Sequence, residues 1–394
     1  MARRTVLPLT ALLGVLLVVS ACGATGRRAT LVDHATNASD ADGHLVIGAL
    51  VPQTGDLASL GAAESAGVEA AVHDINAAGG VLGHPVTLVR ADSGEGIPAA
   101  GRAAAHRLRD RHADVVVGGR SPAVSVAVPG PHPRSWRVTP PVALQATALA
   151  HLILGAGHER IAVLARENRF GTAVADELES DLVDGGATVT TELHYRPSTD
   201  SFSSYAVQIR ATHPDAVVVL GYDETRKILP ALAAHGIGPH RLQVYLGNGN
   251  TSDYSEDFPA GTMTGVEGTH AGGTPPPAFV DKLRAIDPYV TDPTDGPEAY
   301  DAVVLAALAV EAAHSDSPSA YAKEVVAVSR GGRTCATFAA CDALAKQGSD
   351  LDYQGVSGSL DLDAAGDPEK ATVGTVRYTS SNTYLDTGEV TGAG

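Results

Sequence analysis

The chain has 394 residues and a formal net charge of −17, with no basic cluster to interrupt it. That balance argues against nucleic acid as a partner. The length suits two domains rather than one core.

Arg3 and Arg4 precede an apolar run, residues 6–19, shorter than the roughly 20 residues that a membrane-spanning helix needs. This is the layout of an export signal. It closes on Val19-Ser20-Ala21-Cys22, the pattern of a bacterial lipobox. A thiol is needed there because the diacylglyceryl chain is attached as a thioether. Cys22 is thus the expected lipidated first residue of the mature chain, anchored to the outer face of the cell membrane. The other reading is an ordinary cleaved signal that contains a cysteine. Residues 1–22 are expected to be the signal. Residues 23–43, without aromatic residues or periodicity, are expected to be a flexible tether.

Residues 46–94 then read as an apolar strand, a loop over 52–61, an amphipathic helix closed by Gly79-Gly80, and a second strand. A helix is predicted over 99–111, and a buried strand with its exit turn over 113–119. The same grammar repeats. A strand over 159–164 is followed by a helix from Phe170-Gly171 to Gly185-Gly186, a strand over 187–195, helical spacing over 204–211, and a buried strand over 214–221. Asp114 and Asp215 stand just before the apolar run of each third strand. Each half is a β-α-β-α-β unit with short connections, so the fold class is α/β: two Rossmann-like lobes with mostly parallel sheets. Further helices are predicted over 298–313 and 321–329. With Cys22 set aside, Cys335 and Cys341 remain. In an oxidising, exported setting a small disulfide loop is the favoured reading, with two free thiols or half a metal site as the alternatives.

Several of these residues also carry a resemblance. Ile47-Gly48, Pro52, Thr54-Gly55, Gly61 and above all Asp74-Ile75-Asn76-Ala77-Ala78-Gly79-Gly80 with Gly83 resemble the opening of the branched-chain amino-acid-binding proteins that serve ABC importers. The Cys335 to Cys341 spacing and the run Asp352-Tyr353-Gln354-Gly355-Val356-Ser357-Gly358 look like a branch from high-GC Gram-positive bacteria. The resemblance implies a type I periplasmic-binding-protein fold whose lobes are joined by three crossovers, near Pro140, Thr269 and Gly358, forming a hinge. It places residues 44–139 and 270–357 in the N-terminal lobe, and 140–269 and 358–385 in the C-terminal lobe.

By that resemblance the ligand lies between the lobes, held by strand-exit loops. Ser121 matches the family's ligand-binding serine; it is equally suited to capping a helix begun by Pro122. Tyr222 corresponds to a tyrosine that contacts ligand, against an ordinary rim tyrosine. Phe170 replaces a more usual tyrosine and would otherwise pack the start of a helix. Leu60 falls where relatives carry an apolar or aromatic residue near the ligand side chain, and also suits the core. Asn248 stands where amino-acid binders often carry the acidic residue that holds the ammonium, so ammonium binding is expected to be weaker. After Ser121 the chain is expected to pass as a helix directly into Pro129-Gly130-Pro131-His132-Pro133, without the family's next strand and ligand loop.

The 15 histidines are scattered, without metal-ligand spacing. Asp361, Asp363 and Asp367 lack the rest of a calcium loop and read as a surface turn. No cofactor is expected, and no nucleophile–base pair stands out for catalysis. The resulting expectation is a monomeric, non-enzymatic solute-binding lipoprotein that delivers a small amino acid, or a related amide or carboxylate, to ABC permease subunits by hinge closure. The alternatives are a ligand sensor without transport, or a diverged binder that no longer takes an amino acid. An exported α/β enzyme ranks last.

Overall fold

The computed structural model describes residues 41–54, 58–94, 98–118, 125–128 and 134–393. The expected signal, the tether and Cys22 lie outside the described residues. Among those described, no helix is long and apolar enough to cross a membrane.

The chain begins with β1 (Val46–Val51), α1 (Ala58–Ala77), β2 (Thr87–Asp92), α2 (Pro98–Asp110) and β3 (Val115–Gly118), in the order read from periodicity. β1 lies parallel to both β2 and β3. Two short strands follow, β4 (Ser125–Val128) and β5 (Arg134–Arg137), and complete a five-stranded sheet of order β2-β1-β3-β4-β5. Both pair antiparallel. This corrects the reading of the segment after Ser121: residues 125–128 are strand rather than helix, and a strand does follow the serine. Four residues bounded by a Pro- and Gly-rich stretch show too little periodicity to separate the two states.

From β5 the chain crosses at 138–141 into α3 (Val142–Gly155). It continues through β6 (Arg160–Arg166), α4 (Arg169–Asp184), β7 (Thr188–Tyr195), α5 (Ser203–Ala211), β8 (Ala216–Leu220), α6 (Thr225–Ala234), β9 (Gln243–Leu246) and β10 (Glu267–Ala271). β7, β6, β8, β9 and β10 lie side by side and parallel. The chain then returns to the first sheet with α7 (Pro277–Ile286), α8 (Gly296–Ala313), α9 (Pro318–Tyr321), β11 (Arg333–Cys335), α10 (Phe338–Ala345) and β12 (Leu351–Tyr353). It ends with β13 (Lys370–Tyr378) and β14 (Tyr384–Ala393), an antiparallel hairpin that extends the second sheet to seven strands, β14-β13-β10-β9-β8-β6-β7. Parallel pairs dominate, as expected, with antiparallel edges on both sheets.

The core of the first lobe joins β1, β3, α1 and the long apolar α8. α1 and α8 touch so closely that a Cβ on Gly67 would sit 2.2 Å from the Gly296 carbonyl oxygen; only glycine fits. The Asp74–Gly80 motif is accounted for by this packing. Ile75 is fully buried. Asp74 accepts from the Tyr300 hydroxyl at 2.8 Å and pairs with Lys282. Asn76 clasps the turn into β2: its amide donates to the Val86 carbonyl at 3.0 Å and its oxygen accepts from the Val86 N–H at 2.7 Å. Gly79 and Gly80 take positive φ (115° and 79°) where the helix ends.

Three expectations about the C-terminal third change. Residues 322–328 form successive turns rather than a helix. Tyr321, Val325 and Val328 are buried at the spacing that suggested one, but the bonds in the segment include i to i+3 links such as Glu324 N–H to Tyr321 O. The third crossover falls later than Gly358, because Leu360 and Leu362 belong to the first lobe's core and the second sheet is rejoined only at Lys370. That sheet then continues to Ala393, past the expected end at residue 385. Cys335 and Cys341 are disulfide-bonded, with Cα atoms 5.3 Å apart, as favoured from the sequence. Asp363 turns back on itself, its Oδ1 accepting from the N–H groups of Ala365 and Asp367. Among the described residues no group of three His, Cys, Asp or Glu could hold a metal.

Candidate functional site

In an open α/β sheet a ligand site forms outside the carboxyl ends of adjacent strands whose connections run to opposite sides. In the second sheet these strands are β6 and β8. β6 leads to β7 on one side and β8 leads to β9 on the other. The first sheet has the same switch between β1 and β3. Residues 55–57 and 119–124, which follow β1 and β3 in the chain, lie outside the described residues, and Ser121 with them. Leu60 is in the first turns of α1.

At the second switch point two of the expected residues meet. Phe170 opens α4 after β6, and Tyr222 follows β8; the two side chains pack together. α4 starts there because the Asn168 side chain accepts the Gly171 N–H at 2.6 Å, a helix N-cap. Tyr222 is buried, and the Arg166 guanidinium lies over its ring, 4.9 Å from the centroid. Arg166 in turn stands 2.6 Å from Glu224, with both side chains only about 5% exposed. Glu224 also accepts the Tyr222 backbone N–H at 3.0 Å. A buried pair of this kind fixes geometry more than it adds stability. Burial and the neighbouring Glu224 push the Tyr195 hydroxyl well above its ordinary pKa, keeping it neutral.

Asn248 begins a 3-10 turn at the exit of β9, Asn248–Asn250. Its side-chain oxygen accepts the N–H of Ala271, the last residue of β10, at 2.7 Å. The acceptor expected to face an ammonium is therefore tied to the strand that leads into the second crossover. Gly249 must be glycine: a Cβ would lie 2.5 Å from the Gly221 oxygen and 3.0 Å from the Tyr222 ring. Thr251 and Tyr254 lock the turn through their hydroxyls, to the Gly247 and Asn250 carbonyls.

The residues not anticipated here are Arg166, Glu224, Gln145 and Asn250. Arg166 carried a readable signal, a charge ending an otherwise apolar strand. Gln145 did not, because its role depends on α3 docking across the ends of β8 and β9. Gln145, Phe170, Gly221, Asn248, Asn250 and Thr269 line one small cavity at these strand ends.

A model of the family described as periplasmic binding protein matches residues 44–130 and 122–331. The chain belongs to the periplasmic binding protein family. Among characterised relatives, the Leu/Ile/Val-binding protein BraC3 of Rhizobium johnstonii is 27% identical over 217 residues, which are 49% of this chain and 59% of that protein. The chemotactic signal transduction system substrate-binding protein BasB of Halobacterium salinarum is 27% identical over 59% of this chain and 55% of its own. The chain thus spans little more than half the length of the relatives it matches. In three dimensions this periplasmic binding protein resembles the leucine-binding protein LivK of Thermotoga maritima, with a TM-score of 0.68 at 18% identity over 88% of this chain and 98% of that one. A solute-binding protein from R. palustris, solved with benzoate, gives a TM-score of 0.68 at 17% identity over 89% and 98%. LivJ of Streptococcus pneumoniae, solved with isoleucine, gives 0.67 at 17% over 89% and 100%. At such identities these likenesses establish the fold alone, the type I periplasmic-binding-protein fold.

Proposed function

We propose that the chain is the solute-binding component of an ABC importer, exported and tethered to the membrane by lipidated Cys22, acting as a monomer with permease subunits. It would take a small amino acid, or a related amide or carboxylate, between lobes built from residues 44–139 with 270–357 and from 140–269 with 358–385, the later crossover noted above shifting the last boundary. The observation that carries this reading is the Phe170–Tyr222 contact at the switch point between β6 and β8, backed by the buried Arg166–Glu224 pair. Relatives with a stated ligand bind leucine, isoleucine, valine, benzoate or hydroxylated benzoates, all compact carboxylates. Leu60 and Ser121 would supply the facing wall from the first lobe, and Asn248 would link ligand contact to the crossover after β10. Catalysis is not part of the reading.

A second reading is favoured by BasB, a relative named for chemotactic signalling: the closed form would be read by a receptor rather than by a permease. Both readings require a ligand. A thermal-shift screen of amino acids, short amides, urea and small carboxylates, benzoate included, should show one class raising the melting temperature, since a ligand at 100 times its Kd adds about 2.7 kcal/mol. Tyr222→Ala should abolish that rise. A full response retained in Tyr222→Ala would remove the site from the cleft described here.

A further inference from the structure

Among the described residues, two buried side-chain oxygens at the strand ends have no partner. Gln145 is 4% exposed and Asn250 is 2% exposed, and Gln145 Oε1 and Asn250 Oδ1 accept no hydrogen bond. Their orientation follows from chemistry. The Gln145 amide nitrogen donates to the Pro140 carbonyl at 2.9 Å, and the Asn250 nitrogen donates to the Val219 carbonyl at 3.1 Å and to Thr225 Oγ1 at 3.0 Å. A carbonyl accepts only, so neither amide can be turned over without placing oxygen against oxygen. Each orphaned acceptor keeps its full desolvation penalty with no bond to offset it. Two of them around one cavity are an expense that a bound donor would remove.

The cavity lies between α3, α4 and the exits of β8 and β9, with Leu149, Val174 and Leu220 as its apolar walls. It encloses about 10 Å³, room for a single water-sized group. No acidic side chain lines it, so an ammonium entering would be desolvated without a counter-charge. A carboxylate would set oxygens against oxygens. We propose that this cavity is a subsite that receives one neutral donor group of the solute, a primary amide or ureido NH2, whose two N–H bonds are taken by the oxygens of Gln145 and Asn250. The proposal rests on the reading of the cleft as a solute site and narrows its ligand class. Because Gln145 also holds Pro140 at the first crossover, filling the subsite acts on a residue that is bonded to the hinge.

The test uses the exported chain and a matched set of one aliphatic skeleton: its primary amide, its carboxylate and its amine, with the corresponding amino acid and urea, measured by calorimetry and thermal shift. The amide or urea should bind, and the carboxylate and amine should bind at least tenfold more weakly. Gln145→Leu should weaken the amide about tenfold. Gly247→Ala keeps both acceptors and has a backbone that alanine adopts (φ −81°, ψ 172°). Its new methyl would lie 3.8 Å from Asn250 Oδ1 and press on Leu220, so it should abolish amide binding by filling the space. The melting temperature of each unliganded variant separates a lost site from a lost fold. Preference for the carboxylate, amine or amino acid would overturn the subsite while leaving the cleft as a solute site. Amide affinity unchanged in both variants would also overturn it and leave a buried water as the occupant. Binding by no member of the set would overturn subsite and cleft together.

Discussion

Asp114 and Asp215 occupy the same place in the two lobes, just before the third strand of a β-α-β-α-β unit, and they make the same bond. Asp114 accepts the N–H of Val46 where β1 begins, at 2.8 Å; Asp215 accepts the N–H groups of Glu159 and Arg160 where β6 begins, at 3.0 and 3.2 Å. Their surroundings differ. Asp215 is 41% exposed, 3.5 Å from His158. Asp114 is half-buried: desolvation pushes its carboxyl up to about 7 against the pull of the Val46 N–H, and the carboxylates of Asp316 and Asp42 add to the rise. Asp316 and Tyr321, whose hydroxyl donates to the Asp114 carbonyl at 2.6 Å, come from the segment after α8. The same local grammar therefore yields two electrostatic sites, because a late part of the chain covers one lobe's strand ends.

The largest test of that covering is Asp301. Fully buried in α8, its carboxylate accepts from the Tyr353 hydroxyl at 2.6 Å, the N–H groups of Val356 and Ser357, and the Ser357 hydroxyl. Asp301→Ala leaves these donors buried and should cost about 4 kcal/mol in chemical denaturation; a loss below about 1 kcal/mol would show that the late segment is not anchored there. Next come the two asparagines that organise turns in the two lobes. Asn76→Ala removes two bonds to Val86 and should cost about 2 kcal/mol, whereas Asn168→Ala removes one helix cap and should cost about 1 kcal/mol. Equal losses would erase this distinction between the lobes. The smallest effect is a pH slope. For a carboxyl raised in the folded state, the folded form holds the extra proton between about pH 4 and 7, so stability falls as pH rises through that window. The difference in stability between wild type and Asp114→Asn should carry this slope, and a difference that stays flat between about pH 4 and 7 would remove it.

How much was legible depended on how local the cause was. The parallel strands β3, β6 and β8 stand out as apolar runs because they are buried on both faces. The Asp74–Gly80 motif could be recognised, yet the roles of its members could not: Asn76 clasps a turn, Asp74 meets Tyr300 and Lys282, and the glycines end a helix. It identifies the family through packing rather than through ligand contact. The β13–β14 hairpin escaped notice because threonines and glycines along it lack the apolar run of a central strand. Within the candidate site, Phe170 and Tyr222 were named by the resemblance, and their packing against each other is what the structure adds. The Arg166–Glu224 pair and the acceptors of Gln145 and Asn250 were not, since each is defined by residues far away in the chain.

By itself the sequence determined the α/β lobes, the β-α-β-α-β order of their elements over residues 46–119 and 159–221, and the family, because periodicity, helix-ending glycines and short connections act over a few residues. Only the tertiary structure decided which buried polar atoms lack partners, which aspartate titrates near neutrality, and where the last crossover lies. Those properties follow from desolvation and from how separate segments of the chain pack together, and no local pattern encodes either.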